Sequence, residues 1–181
     1  KPIKELMTAT YRPTPQVPAL DGMTPLGVAP QKTLEERVLE WTEQLCDSLA
    51  ENYKRYHRRM IERNSAYFNG DGSKKELSKY AQDQLDALDN GTANLMKFKI
   101  EKGRKYYRII TQEFDTFRDR NEYRDGGVHA FVNKKTGEVF KPASWKSPAK
   151  HVRYDMRIIN DREYVLNPDN CGWAGGYLYM K

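Results

Sequence analysis

Lysine and arginine side chains set among aromatic rings are the residues of this sequence best equipped for chemistry, and the chemistry is recognition of negative charge. Lys97, Lys99, Arg104, Lys105, Arg108, Lys134, Lys135, Lys141, Lys146, Lys150 and Arg153 are interleaved with Tyr106, Tyr107, Phe131, Phe140, Trp145 and Tyr154. A basic groove with aromatic faces can follow a phosphate backbone while bases stack on the rings, each stack being worth roughly 1–3 kcal/mol. Trp145 is the most informative of these residues. It lies in Lys141-Pro142-Ala143-Ser144-Trp145-Lys146-Ser147-Pro148, where two prolines and flanking lysines would hold a rigid aromatic anchor. The alternative is that the rings form the core of a small sheet and the lysines cover its wet face, with Phe131 and Phe140 as a cross-strand pair. Both readings stay open at the level of sequence.

The charge balance favours an anionic partner. The chain of 181 residues carries 31 Lys+Arg against 25 Asp+Glu, a net +6. Residues 1–92 hold 13 basic and 14 acidic side chains, whereas residues 93–181 hold 18 and 11. The positive excess therefore lies wholly in the C-terminal half, as expected where one part of a chain meets nucleic acid or another anionic surface.

Catalytic patterns are missing. No GxxxxGK[ST], GxGxxG, HExxH or GxSxG sequence occurs. His57, His129 and His151 are far apart and lack metal-ligand spacing. His129 alternates with Val128 and Ala130, so it is expected to face solvent or a partner. Cys46 and Cys171 form no CxxC pair; Cys46 falls on an apolar helical stripe, and Cys171 has no flanking base. The Asn69–Ser73 loop is superficially like a calcium loop, but Lys74 and Tyr80 stand where glycine and a bidentate glutamate are required. No enzyme activity, metal or cofactor is expected.

Three segments must position these residues. Six of the nine prolines fall in the first 30 residues, so 1–32 reads as an extended arm. Its Tyr11, Val17, Leu20, Met23, Leu26 and Val28 are candidate partner contacts. Thr33 and Glu36 form a capping box, followed by a helical stripe at Leu34, Val38, Trp41, Leu45, Leu49, Tyr53, Tyr56 and Met60. Ser73 and Glu76 suggest a second box, and Leu77, Tyr80, Ala81, Leu85 and Leu88 a second helix ending at Asn90-Gly91. After residue 92 the apolar period changes to two, at Met96, Phe98 and Ile100. Strands are expected at 106–111, 128–132, 138–141, 162–166 and 177–180, with 113–127 as a loop or short exposed helix. The fold class is α+β: an arm over 1–32, an antiparallel helical hairpin over 33–92 and a small basic antiparallel β module over 93–181. No apolar run approaches the roughly 20 residues of a membrane-spanning helix. Lys1-Pro2-Ile3-Lys4-Glu5 leads into no apolar signal region, so export through a signal peptide is not expected.

The stretches Gly127–Val132, Lys135–Lys150 and Trp173–Tyr179 resemble a group of small proteins of unassigned function encoded by tailed bacteriophages, over about residues 104–181. The resemblance implies a phage origin, with the virion or the host cytoplasm as the location, and implies no reaction. Taken with the charge, it gives the expectation of a non-catalytic phage accessory protein. The arm and helices would dock on a larger assembly or on further copies of the chain, and the β module would contact nucleic acid or another anionic surface. The alternative is a structural virion component, capsid- or tail-associated, whose arm and helices make subunit contacts.

Overall fold

A computed structural model describes residues 27, 29–65, 69–73 and 76–180. The arm residues Tyr11, Val17, Leu20, Met23, Leu26 and Val28 lie outside the described residues. Residues 32–181 make one compact unit.

Helix α1 (Leu34–Ser65) starts at the capping box. Thr33 Oγ1 accepts from Glu36 N–H at 3.2 Å, and the Glu36 carboxylate accepts from Thr33 N–H at 2.7 Å. Glu35 and Glu36 in the first turn also favour the helix dipole. The stripe buries Val38, Leu45 and Leu49 completely. Helix α2 (Lys79–Asn90) begins later than expected. Its cap is Ser78, whose Oγ accepts from Ala81 N–H at 3.1 Å, while Ser73 folds back on the Asp71 carboxylate. Gly91, with φ 71°, closes it in the left-handed conformation that glycine adopts without strain. The short helix runs back along the last turns of α1, joining Ile61 to Ala81, Leu85 and Leu88, with an Arg58–Asp89 ion pair at 2.6 Å.

Strands β1 (Lys97–Lys102), β2 (Tyr106–Asp115), β3 (Glu122–Asn133), β4 (Glu138–Phe140) and β5 (Tyr154–Asp155) form an antiparallel meander in sequence order. Alternation puts Phe98, Ile100, Tyr107, Ile109, Ala130, Val132 and Val139 into one core with Val38, Leu45 and Leu49 of α1. The architecture is therefore α+β, and the segments 33–92 and 93–181 share a core instead of standing apart.

The β2–β3 ladder slips twice. Ile109 pairs with Ala130 but Ile110 with Val128, and Gln112 pairs with Asp125. Each slip leaves an extra residue in β3, which bends the strand and re-aims side chains. The first extra residue is His129. The second falls near Gly126, where an added Cβ would lie 2.6 Å from Thr111 Oγ1.

Three expected elements differ. Residues 162–166 belong to helix α3 (Ile159–Leu166), not to a strand. Only Val165 of α3 is fully buried, and so short a helix shows no clear period in its sequence. Tyr177–Met180 is not a strand either, because Gly175 at φ 84° turns the chain into a 3₁₀ turn over Gly176–Leu178. Residues 113–127 are largely the extended ends of β2 and β3, joined by a tip where the Asp115 carboxylate accepts from Phe117 N–H at 2.9 Å. No helix among the described residues is long and apolar enough to cross a membrane.

Candidate anion-binding cleft

Two turns at one end of the sheet bring four basic side chains together. In the β1–β2 turn, Gly103 N–H donates to the Tyr106 carbonyl at 2.9 Å and so presents Arg104 and Lys105. In the β3–β4 turn, Asn133 Oδ1 accepts from Lys135 N–H at 2.9 Å and Thr136 N–H at 3.2 Å. Gly137 at φ 74° completes that turn. The turns are tied to each other by Lys134 N–H donating to the Lys105 carbonyl at 3.1 Å. Arg104, Lys105, Lys134 and Lys135 thus line a cleft of about 630 Å³ with Asn133, Thr136 and Glu35. Lys105 Nζ lies 5.4 Å from the Tyr106 ring centre and Lys134 Nζ 5.3 Å from that of Tyr107.

Among the described residues none of these four cations enters an ion pair. Glu35 is the one carboxylate in the cleft lining. Like charges held together on fixed turns raise a local positive potential that an anion with several oxygens would relieve. The arrangement is suited to holding negative charge.

The remaining candidates do not join this cleft. Lys99 pairs with Asp125 at 2.7 Å, and Lys97 Nζ sits 4.0 Å from the Tyr123 ring centre. The hydrogen bonds from Lys99 and Gln112 hold the Asp125 carboxyl below the usual range. Lys141 Nζ lies 4.7 Å from the Tyr179 ring centre, while Lys146 and Lys150 are exposed. Arg153 is built into the fold: its Nε donates to Leu178 O at 2.6 Å and its Nη1 to Lys150 O and His151 O at 2.8 and 2.7 Å. Trp145, 44% exposed, has its carbonyl bonded by Arg108 Nη1 at 3.0 Å and its ring centre 5.9 Å from that guanidinium.

The aromatic residues mostly pack. Phe131 pairs with Phe140 across the ladder, and Tyr106 meets both edge-on at 5.8 and 5.9 Å. Tyr107 is in the core and Tyr154 packs against it. The core reading of the sequence describes Tyr107 and Tyr154, whereas Tyr106, Phe131 and Phe140 pack with one another outside that core.

His129 is the residue that pattern-reading misplaced. The ladder slip turns it inward, where it is buried, with Nε2 2.8 Å from the Tyr177 hydroxyl and its ring edge-on to Phe98. Burial pushes its imidazole down to about 4. The adjacent Gly126-Gly127 pair is the sequence signal for such a slip. Both cysteines are buried and free. Burial pushes the Cys46 thiol up to about 12 and Cys171 up to about 11, so neither is poised as a thiolate. Among the described residues no cluster of His, Cys, Asp and Glu could hold a metal ion.

The chain belongs to DUF7717, a family of unknown function, which matches residues 28–180. No curated protein and no solved structure matches it.

Proposed function

We propose that this member of the family is a non-catalytic binding protein that holds an anionic partner, foremost a nucleic-acid backbone, in the cleft between its two basic turns. The observation that carries this reading is the convergence of Arg104, Lys105, Lys134 and Lys135 on one cleft, outside any ion pair among the described residues. Each phosphate neutralised by such a cation releases condensed counterions, so affinity falls as salt rises. Asn133 and Thr136 in the same lining add hydrogen-bonding groups for phosphate or sugar oxygens. The likeness of about residues 104–181 to small phage-encoded proteins supports an accessory role in a tailed bacteriophage, in the virion or the host cytoplasm.

The test is retention of a labelled oligonucleotide across a salt series. Binding should weaken linearly in log–log form, and Lys134→Glu with Lys135→Glu should reduce the slope by about two. A chain that retains no oligonucleotide at low salt does not have this function. A second reading, a structural virion component, takes support from Ile158 and Ile159, which lie side by side and are 52% and 59% exposed. Mass spectrometry of purified particles tests it: fixed stoichiometry supports a structural part, and absence from particles removes that part.

A further inference from the structure

A second cavity, of about 280 Å³, opens where the C-terminal loop crosses the slipped part of β3. His129 lines it. The imidazole Nε2 is the hydrogen-bond partner of the Tyr177 hydroxyl at 2.8 Å. The protonated phenol can donate to Nε2 or accept from it, so His129 Nδ1 is a donor in one neutral tautomer and an acceptor in the other. Among the described residues Nδ1 has no hydrogen-bond partner, and no fully enclosed side-chain nitrogen or oxygen lacks one. Nδ1 is therefore not fully enclosed, and the space that His129 lines is this cavity.

The rest of the lining is complementary in kind. Met96, Val128 and Leu178 supply apolar surface, Lys141 supplies a cation, and no carboxylate is present. Tyr179, next to Lys141, is 65% exposed and offers an aromatic ring. Glycine keeps part of the space open, since an added Cβ at Gly127 would meet nothing within 4 Å. A purely apolar ligand would leave the imidazole Nδ1 and the ammonium unmatched, and a bare inorganic anion would leave the apolar walls unmatched.

We propose that this cavity seats one nucleotide of a single-stranded nucleic acid, its base sharing a hydrogen bond with His129 Nδ1 and its phosphate facing Lys141. The proposal rests on the nucleic-acid reading above for its choice of ligand. The base enters flat between the apolar side chains, and the exposed ring of Tyr179 extends the stacking surface at the rim.

The experiment titrates nucleoside 5′-monophosphates, the parent nucleosides and inorganic phosphate into the full chain, with the His129 ring followed by NMR. Monophosphates should shift the His129 signals, nucleosides should do so more weakly, and phosphate alone should not. Gly127→Leu fills the cavity without a backbone penalty, because Gly127 is not among the positive-φ glycines. It should weaken monophosphate binding about tenfold or more while melting like the parent. Lys141→Ala, a second variant at the half-buried rim, should weaken monophosphates but not nucleosides. No His129 shift at millimolar monophosphate, or equal affinity in Gly127→Leu, overturns the proposal. Salt-sensitive oligonucleotide binding that is unchanged in Gly127→Leu overturns this seat and leaves the cleft standing. Monophosphate binding without any oligonucleotide retention supports the seat and removes the cleft.

Discussion

Basic side chains serve opposite purposes in the two sheet turns and in the C-terminal segment. At the turns, Arg104, Lys105, Lys134 and Lys135 surround open space. In the C-terminal segment three arginines are structural ties. Arg153 binds three backbone carbonyls, Arg162 donates to Met156 O at 2.8 Å and lies 4.5 Å from the Trp41 ring centre, and Arg157 grips Asp155 with two nitrogens. A guanidinium whose N–H groups are met by carbonyls holds loops together, whereas an ammonium on a tight turn is available to a partner. Counting positive charge along the chain does not separate these uses. Counting acceptors around each cation does.

The contrast can be broken or sharpened experimentally, beginning at the buried end. His129 has a folded-state pKa of about 4 against an ordinary 6.5. Between those values the unfolded chain takes a proton that the folded chain refuses, so stability falls as pH drops through that window. The full loss is on the order of 3 kcal/mol. Thermal melts between pH 7 and 5, above most carboxylate titration, should show the slope, and His129→Gln should flatten it. An unaltered slope in that variant would assign the effect elsewhere. Next in size, Arg153→Ala should cost about 2 kcal/mol in urea unfolding, because three carbonyls lose their donor, while oligonucleotide binding keeps its salt slope. Arg153→Lys should recover only part of the loss. The charge reversals Lys134→Glu and Lys135→Glu should reverse that pattern, moving stability by no more than about 0.5 kcal/mol while weakening binding. If they unfold the chain, the turn cations are ties as well. Trp145→Ala should have the smallest effect, below about 0.5 kcal/mol in stability, with a smaller loss of oligonucleotide retention than the double reversal.

What was legible in the sequence was whatever depends on near neighbours. The Thr33/Glu36 box, the stripe of α1, the Gly91 stop and the alternation of β1 each follow from residues within a few positions, and the α+β class follows from them. The register of β3 does not. Its two slips depend on how β2 lies alongside, and they decide that His129 turns inward. Helix α3 was hidden for a related reason: with only Val165 fully buried, its sequence shows no long period, and Tyr164 and Val165 resemble a strand. The basic residues of the site were visible as types, but their sorting was not. Arg153 became a tie because Leu178, far along the chain, returns to it. The Arg104–Lys105 and Lys134–Lys135 pairs became one site because two turns close at the same end of the meander.

The bond from Lys134 N–H to the Lys105 carbonyl joins turns that are distant in sequence. It makes the two pairs of positive side chains a gauge of fixed width, so that a ligand is measured as well as attracted. Lengthening either turn by a residue would keep every charge and still reset the gauge.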